Sequence, residues 1–128
     1  MARFPDGWTI ADIEAMIAAN DRDLYRVPIW VSMDPPARIW AEHLCVRLSK
    51  HPDPTVRGNA ILGFGHLSRI FRYLNRRVVE PIILAGLKED DCHVRSQSHA
   101  AAYDVEWHLG WILPGREENA WQGVCPRG

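Results

Sequence analysis

Asp53-Pro54-Thr55-Val56-Arg57 and Asp91-Cys92-His93-Val94-Arg95 are two copies of one pattern, set 38 residues apart. Each follows a leucine-ended apolar stretch (Leu48, Leu87) and opens a longer one. An aspartate just ahead of an apolar run caps a helix by accepting bonds from its first free N–H groups. The valine packs into the seam between its own helix and the one before it. The arginine lies along the stack, where it commonly pairs with an acid of the neighbouring unit. Arg57 and Arg95 are therefore read as structural.

Working outward, the segment after the first copy, about 55–74, is apolar at Val56, Ala60, Phe64, Leu67, Phe71 and Leu74, steps of three and four that mark a helix face. The segment after the second copy, about 92–113, has Val94, Ala101, Ala102, Val105, Leu109 and Ile112 as core positions, until Pro114-Gly115 stops it. A helix over about 36–50 turns Ala37, Trp40, Ala41, Leu44, Cys45 and Leu48 inward, and His51-Pro52-Asp53-Pro54 is the tight turn that follows. Asn75-Arg76-Arg77 leads into a fifth helix ending near Lys88, with Pro81 in or near its first turn. Upstream, Thr9 and Asp12 form a capping-box pair ahead of Ile10, Ile13, Met16 and Ile17. A second helix over about 23–32 contains Pro28, which implies a kink or a break into two short turns.

A repeat of about 40 residues with two helices per unit falls in the HEAT/armadillo range, and about three units are the minimum for a stable stack. The expected fold is all-α: a short α-α superhelix of about three HEAT-type helical hairpins in one domain over 1–128. The repeats cover about 8–34, 36–74 and 76–113, with a polar tail at 114–128 that carries Trp121 and Val124.

The resemblance is more specific than the general repeat. Asp34-Pro35 before Ile39-Trp40-Ala41-Glu42, then His51 to Gly58, then Gly65-His66-Leu67-Ser68-Arg69-Ile70, resembles a family of small, single-domain bacterial HEAT-repeat proteins. Val78-Val79-Glu80-Pro81 and Ala102-Tyr103-Asp104-Val105 continue the likeness, which covers about 9–110. Phe71-Arg72 stands where the family has a histidine-containing turn, and the tryptophan-rich end is longer. Members of that family resemble immunity proteins encoded beside polymorphic toxins, including those of contact-dependent growth inhibition. The resemblance implies a non-enzymatic protein that covers a cognate toxin domain and blocks its active site.

Composition agrees with a globular chain: 128 residues, 47 % hydrophobic and 24 % charged. No apolar run approaches the roughly 20 residues that span a bilayer, and residues 1–7 have no signal-peptide character. Three widely spaced cysteines, Cys45, Cys92 and Cys125, lie in no CxxC pattern, so the expected compartment is a reducing cytoplasm. Charge is uneven: residues 1–34 carry six acids and three bases, 35–77 two acids and eight bases, 78–128 eight acids and four bases. That polarity concerns partners rather than fold.

No motif points to catalysis, a cofactor or a metal. His43, His51, His66, His93, His99 and His108 form no HExxH and no i, i+4 pair with a third ligand nearby. Gly58, Gly63 and Gly65 lie inside a helix, where small residues permit close packing rather than cradle phosphate. Superposing the repeats sets His66, Arg69 and Tyr73 against Asp104, Trp107 and Trp111, and Asn59 against Gln97. The first six form a candidate partner-binding patch of residue types enriched at interface hot spots. Trp107 and Trp111 have a second reading, as a cover for the bottom of the stack. The cluster Arg69, Arg72, Arg76, Arg77 has three: complement to a helix carboxyl end, contact for an acidic partner, or contact for nucleic-acid phosphate. Against the last stands a pI near 6.6 with no long basic stripe. The functional expectation is protein binding of the immunity type. A general scaffold or adaptor is the alternative, and a nucleic-acid-binding module comes third.

Overall fold

The computed structural model describes residues 7–114 and Arg116. The described residues form α-helices and one 3-10 turn, with no strand. The helices are α1 (Ile10–Ala18), α2 (Val27–Met33), α3 (Arg38–Leu48), α4 (Pro54–Phe71), α5 (Arg76–Leu87) and α6 (Cys92–Leu109). Trp121 and Val124 lie outside the described residues.

Local chemistry sets most boundaries. Thr9 and Asp12 form the reciprocal capping box at the start of α1, with bonds of 2.7 and 3.2 Å. Pro28 breaks its segment: a 3-10 turn (Leu24–Arg26) precedes α2, whose first turn tolerates the proline. Asp53 Oδ1 accepts from the Thr55 amide at 2.9 Å, and Asp91 Oδ1 from the Val94 amide at 3.0 Å, so both copies of the motif cap their helices. Pro81 lies in the second turn of α5, where it removes one backbone bond.

The α4 helix packs chiefly on α6, and on α2 and α3; α5 packs on α6. Thus α2, α4 and α6 lie side by side, with α3 and α5 each folded back on the helix that follows. Val56, Phe64, Leu67, Val79, Ile83, Leu87, Val94 and Val105 are buried where these helices meet. Each such side chain contributes roughly 1.5–3 kcal/mol by leaving water. Close approach of α4 to α6 depends on glycine: a Cβ on Gly58 would meet the His93 ring at 2.7 Å, and one on Gly65 the Asp104 carboxylate at 2.5 Å. The two motif arginines are used alike. Arg57 Nη1 donates to the His51 and Pro52 carbonyls at 3.0 and 3.1 Å, and Arg95 Nη1 to those of Glu89 and Asp90 at 2.9 and 3.1 Å. Arg57 also forms an ion pair with Glu89 of the next turn.

The structure differs from the sequence expectation mainly at helix ends. The α6 helix stops at Leu109 rather than near Leu113, because Gly110 takes a left-handed conformation (φ 69°). Beyond Gly110 burial alternates along the chain. Trp111 and Leu113 are buried, and Ile112, expected in the core, is 82 % exposed. Likewise α4 stops at Phe71, and Leu74 is buried from the connection rather than from the helix. Ala37 is the exposed N-cap of α3, and Ile10 is largely exposed.

No described helix is long and apolar enough to cross a membrane. Cys45 is buried and free, its thiol pushed up to about 12 by desolvation and then by the Glu42 carboxylate, so it is inert. Cys92 is disulfide-bonded.

Candidate functional site

The α4 helix presents Asn59, His66 and Arg69 along one edge, and α6 presents Gln97, Asp104 and Trp107 at the equivalent positions. The structure divides these residues into a fixed floor and a free surface.

The floor is a set of polar bonds that cross from unit to unit. Asn59, only 4 % exposed, donates from Nδ2 to the Tyr25 carbonyl at 2.8 Å. Its Oδ1 accepts from Gln97 Nε2 and His93 Nε2, both at 2.9 Å. One buried amide thus joins α4 to the 3-10 turn ahead of α2 and to α6. His66 is half-buried, with Nδ1 2.9 Å from Ser32 Oγ. The Ser32 hydroxyl proton goes to the Ile29 carbonyl at 3.2 Å, so His66 Nδ1–H is the donor in the bond to Ser32. Burial lowers the His66 pKa; the Asp104 carboxylate opposes this and Arg69 adds to it. Asp104 itself packs against Gly65. His66 and Asp104 are therefore framework groups with accessible edges.

The free surface lies next to that floor. Arg69 and Trp107, equivalent on α4 and α6, are both exposed, Trp107 by 74 %. Tyr73 is 57 % exposed, with the Arg38 guanidinium stacked 4.7 Å from its ring centre. Arg38 is held in turn by Glu42, whose Oε2 also accepts from the Asn75 amide at the start of α5, each bond 3.0 Å. Trp111 does not belong to the free surface: it is 9 % exposed, sits in the core cluster and carries Arg76 stacked 5.2 Å from its ring. Of the two readings of the tryptophans, the structure gives cover to Trp111 and exposure to Trp107.

Sequence reasoning left out Tyr103, which is 61 % exposed one turn before Trp107. The signal was present, since an aromatic pair at i, i+4 shares a helix face. It also left out Ser32, whose hydroxyl pairs with His66 across 34 residues, a contact no local pattern encodes. The histidines are spent on structure in several places. His51 Nδ1 accepts from the Asp53 amide and Nε2 donates to Asn20 Oδ1, both at 3.0 Å, which stabilises the turn before α4. No three His, Cys, Asp or Glu side chains gather where they could hold a metal ion among the described residues.

No protein-family model, curated protein or solved structure matches the chain.

Proposed function

We propose that the chain is a protein-binding module, a short HEAT-type stack of the immunity class that covers a cognate toxin domain. The observation that carries this reading is the pairing of exposed aromatics with a fixed floor. Trp107 and Tyr103 hold large apolar area in water on α6, beside Arg69 on α4. Such residues cost conformational entropy only when they are ordered on binding. Their supporting helices are tied by Asn59, His66 and the glycine contacts, so the surface is organised before a partner arrives. Tryptophan, tyrosine and arginine on a rigid base are what interface hot spots are made of. The resemblance of residues 9–110 to small bacterial immunity-like HEAT proteins supplies the partner class.

No step of chemistry is assigned to the chain: inhibition would come from occlusion. The test is direct. The chain is mixed with the toxin domain encoded by the adjacent reading frame, the complex is isolated by size exclusion, and toxin activity is measured. Stoichiometric loss of activity in a stable complex supports the proposal, and activity unchanged at saturating protein overturns it. Failure to bind that domain while binding other proteins through Trp107 would favour the adaptor reading.

A cytoplasmic location accompanies the immunity reading, whereas the disulfide at Cys92 fits an oxidising compartment. Thiol labelling of the denatured protein from quenched extracts distinguishes them: a Cys92 that resists labelling until reductant is added marks the oxidised form.

A further inference from the structure

The turn between α4 and α5 and the end of α6 enclose a cleft of about 320 Å³ lined by Arg72, Tyr73, Arg76, His108 and Trp111 over Leu74 and Leu109. We infer that this cleft is an oxyanion pocket, taking a carboxylate or phosphate group between Arg72, Arg76 and His108. The inference needs no protein partner, although Tyr73 places the pocket at one end of the surface described above.

Four features converge. The first is charge: residues 69–77 contain Arg69, Arg72, Arg76 and Arg77 and no acid, and no carboxylate lines the cleft among the described residues. The second is Arg72 itself. It occupies the left-handed region (φ 55°) immediately after α4, and its counterpart 38 residues on, after α6, is Gly110 (φ 69°). A Cβ is unfavourable there, so glycine is the ordinary choice and the arginine stands there against its backbone preference. Its Nε donates to the Arg69 carbonyl at 3.2 Å, and its terminal nitrogens have no partner among the described residues. Third, Arg76 is pre-oriented: its guanidinium lies on the Trp111 ring, Nη2 donates to the Ile112 carbonyl at 3.1 Å, and Nε pairs with Glu80. Fourth, His108 lines the cleft, and its Nδ1 is buried with no hydrogen-bond partner among the described residues. A buried polar nitrogen without a bond is costly, and a ligand oxygen would supply one. Attraction of cations to the carboxyl end of α4 explains Arg69, but it explains neither the left-handed Arg72 nor the unpartnered His108.

The probes are sodium phosphate and sodium acetate, titrated into the isolated ¹⁵N-labelled chain at constant ionic strength and followed by nuclear magnetic resonance. Saturable shifts are expected at the Arg72 and Arg76 side-chain N–H groups and the Trp111 indole N–H. Arg47 and Arg57, which do not line the cleft and are paired with Glu14 and Glu89, should not move and serve as internal controls. The stronger of the two probes identifies the source as carboxylate or phosphate. Arg72→Gly and Arg72→Asn both accept the left-handed conformation. Each should bind about tenfold more weakly, the loss of one charge-assisted pair, with Tm unchanged or raised. Uniform, non-saturating shifts at all arginines would overturn the inference. So would wild-type binding by both variants, or a Tm lowered by several degrees in both, which would make Arg72 a structural cap.

Discussion

Burial disfavours the imidazolium of His66, and the nearby Asp104 carboxylate offsets only part of that, so the folded-state pKa lies below the ordinary 6.5. A histidine whose pKa is depressed by folding stays neutral in the native state while the unfolded chain takes up its proton. Stability from this residue is therefore intact above about 6.5, falls as pH drops below that value, and levels off once the folded pKa is passed. Glutamine can keep a bond to Ser32 Oγ without titrating. His66→Gln should accordingly show a smaller fall in Tm than wild type between pH 7 and pH 5.5, measured by calorimetry in matched buffers. An equal fall in both would place the acid-sensitive group elsewhere. His66→Ala should cost about 1 kcal/mol at neutral pH through loss of the Ser32 bond. Denaturant melts measure it.

At the scale of elements, the two D-x-x-V-R motifs carry most of the weight. Val56 and Val94 are 2 % and 0 % exposed, each in a seam between helices. Val56→Asp or Val94→Asp should destabilise the chain by about 3 kcal/mol or more, because each buries a carboxylate with no partner. A variant retaining the wild-type Tm would show that the seam is elsewhere. Gly86 tests the packing of α5 on α6: a Cβ there would stand 2.0 Å from Ser98 Oγ and 3.0 Å from Ile61 Cδ1. Gly86→Ala should cost about 1–3 kcal/mol by overpacking, read from the same melts.

These elements also show what was legible and why. Caps, motif period and apolar stripes are local, so the helices and the structural role of both arginines could be read from the chain; the acid expected opposite such an arginine is found at Arg57, where it is Glu89. Two helix ends could not be placed in the same way. At Arg72 the left-handed residue is not a glycine, so nothing in the sequence announces it. At Gly110 the signal was present but stood inside an apolar pattern that continued to Ile112. The reversal of Trp111 and Ile112 between core and solvent follows from that single misplaced end. In the candidate surface, Arg69 and Trp107 were legible as exposed edge positions because these equivalent residues on α4 and α6 face alike, whereas Tyr73 and its counterpart Trp111 lie beyond the helix ends and face differently. The anchoring of His66 by Ser32 was not, since it joins elements 34 residues apart.

Over the whole molecule, charge and shape give the proposed partner a definite approach. The stretch 35–77 carries eight bases against two acids, and residues 78–128 eight acids against four bases. A surface that includes Arg69 beside Asp104 should therefore be steered by charge, so added salt should slow association more than it hastens dissociation. Stopped-flow mixing at low and high chloride checks this. Affinity itself should rest on Trp107 and Arg69, exposed in the free chain and bonded to no framework group among the described residues. The most direct test is calorimetric titration of wild type, Arg69→Ala and Trp107→Ala against the adjacent gene product, with thermal melts of all three. The expected result is wild-type binding at nanomolar or tighter dissociation constants, roughly −12 kcal/mol or better. Each variant should lose about 2 kcal/mol of binding at an unchanged Tm. Wild-type affinity in both variants, or no binding by the wild type, would contradict it.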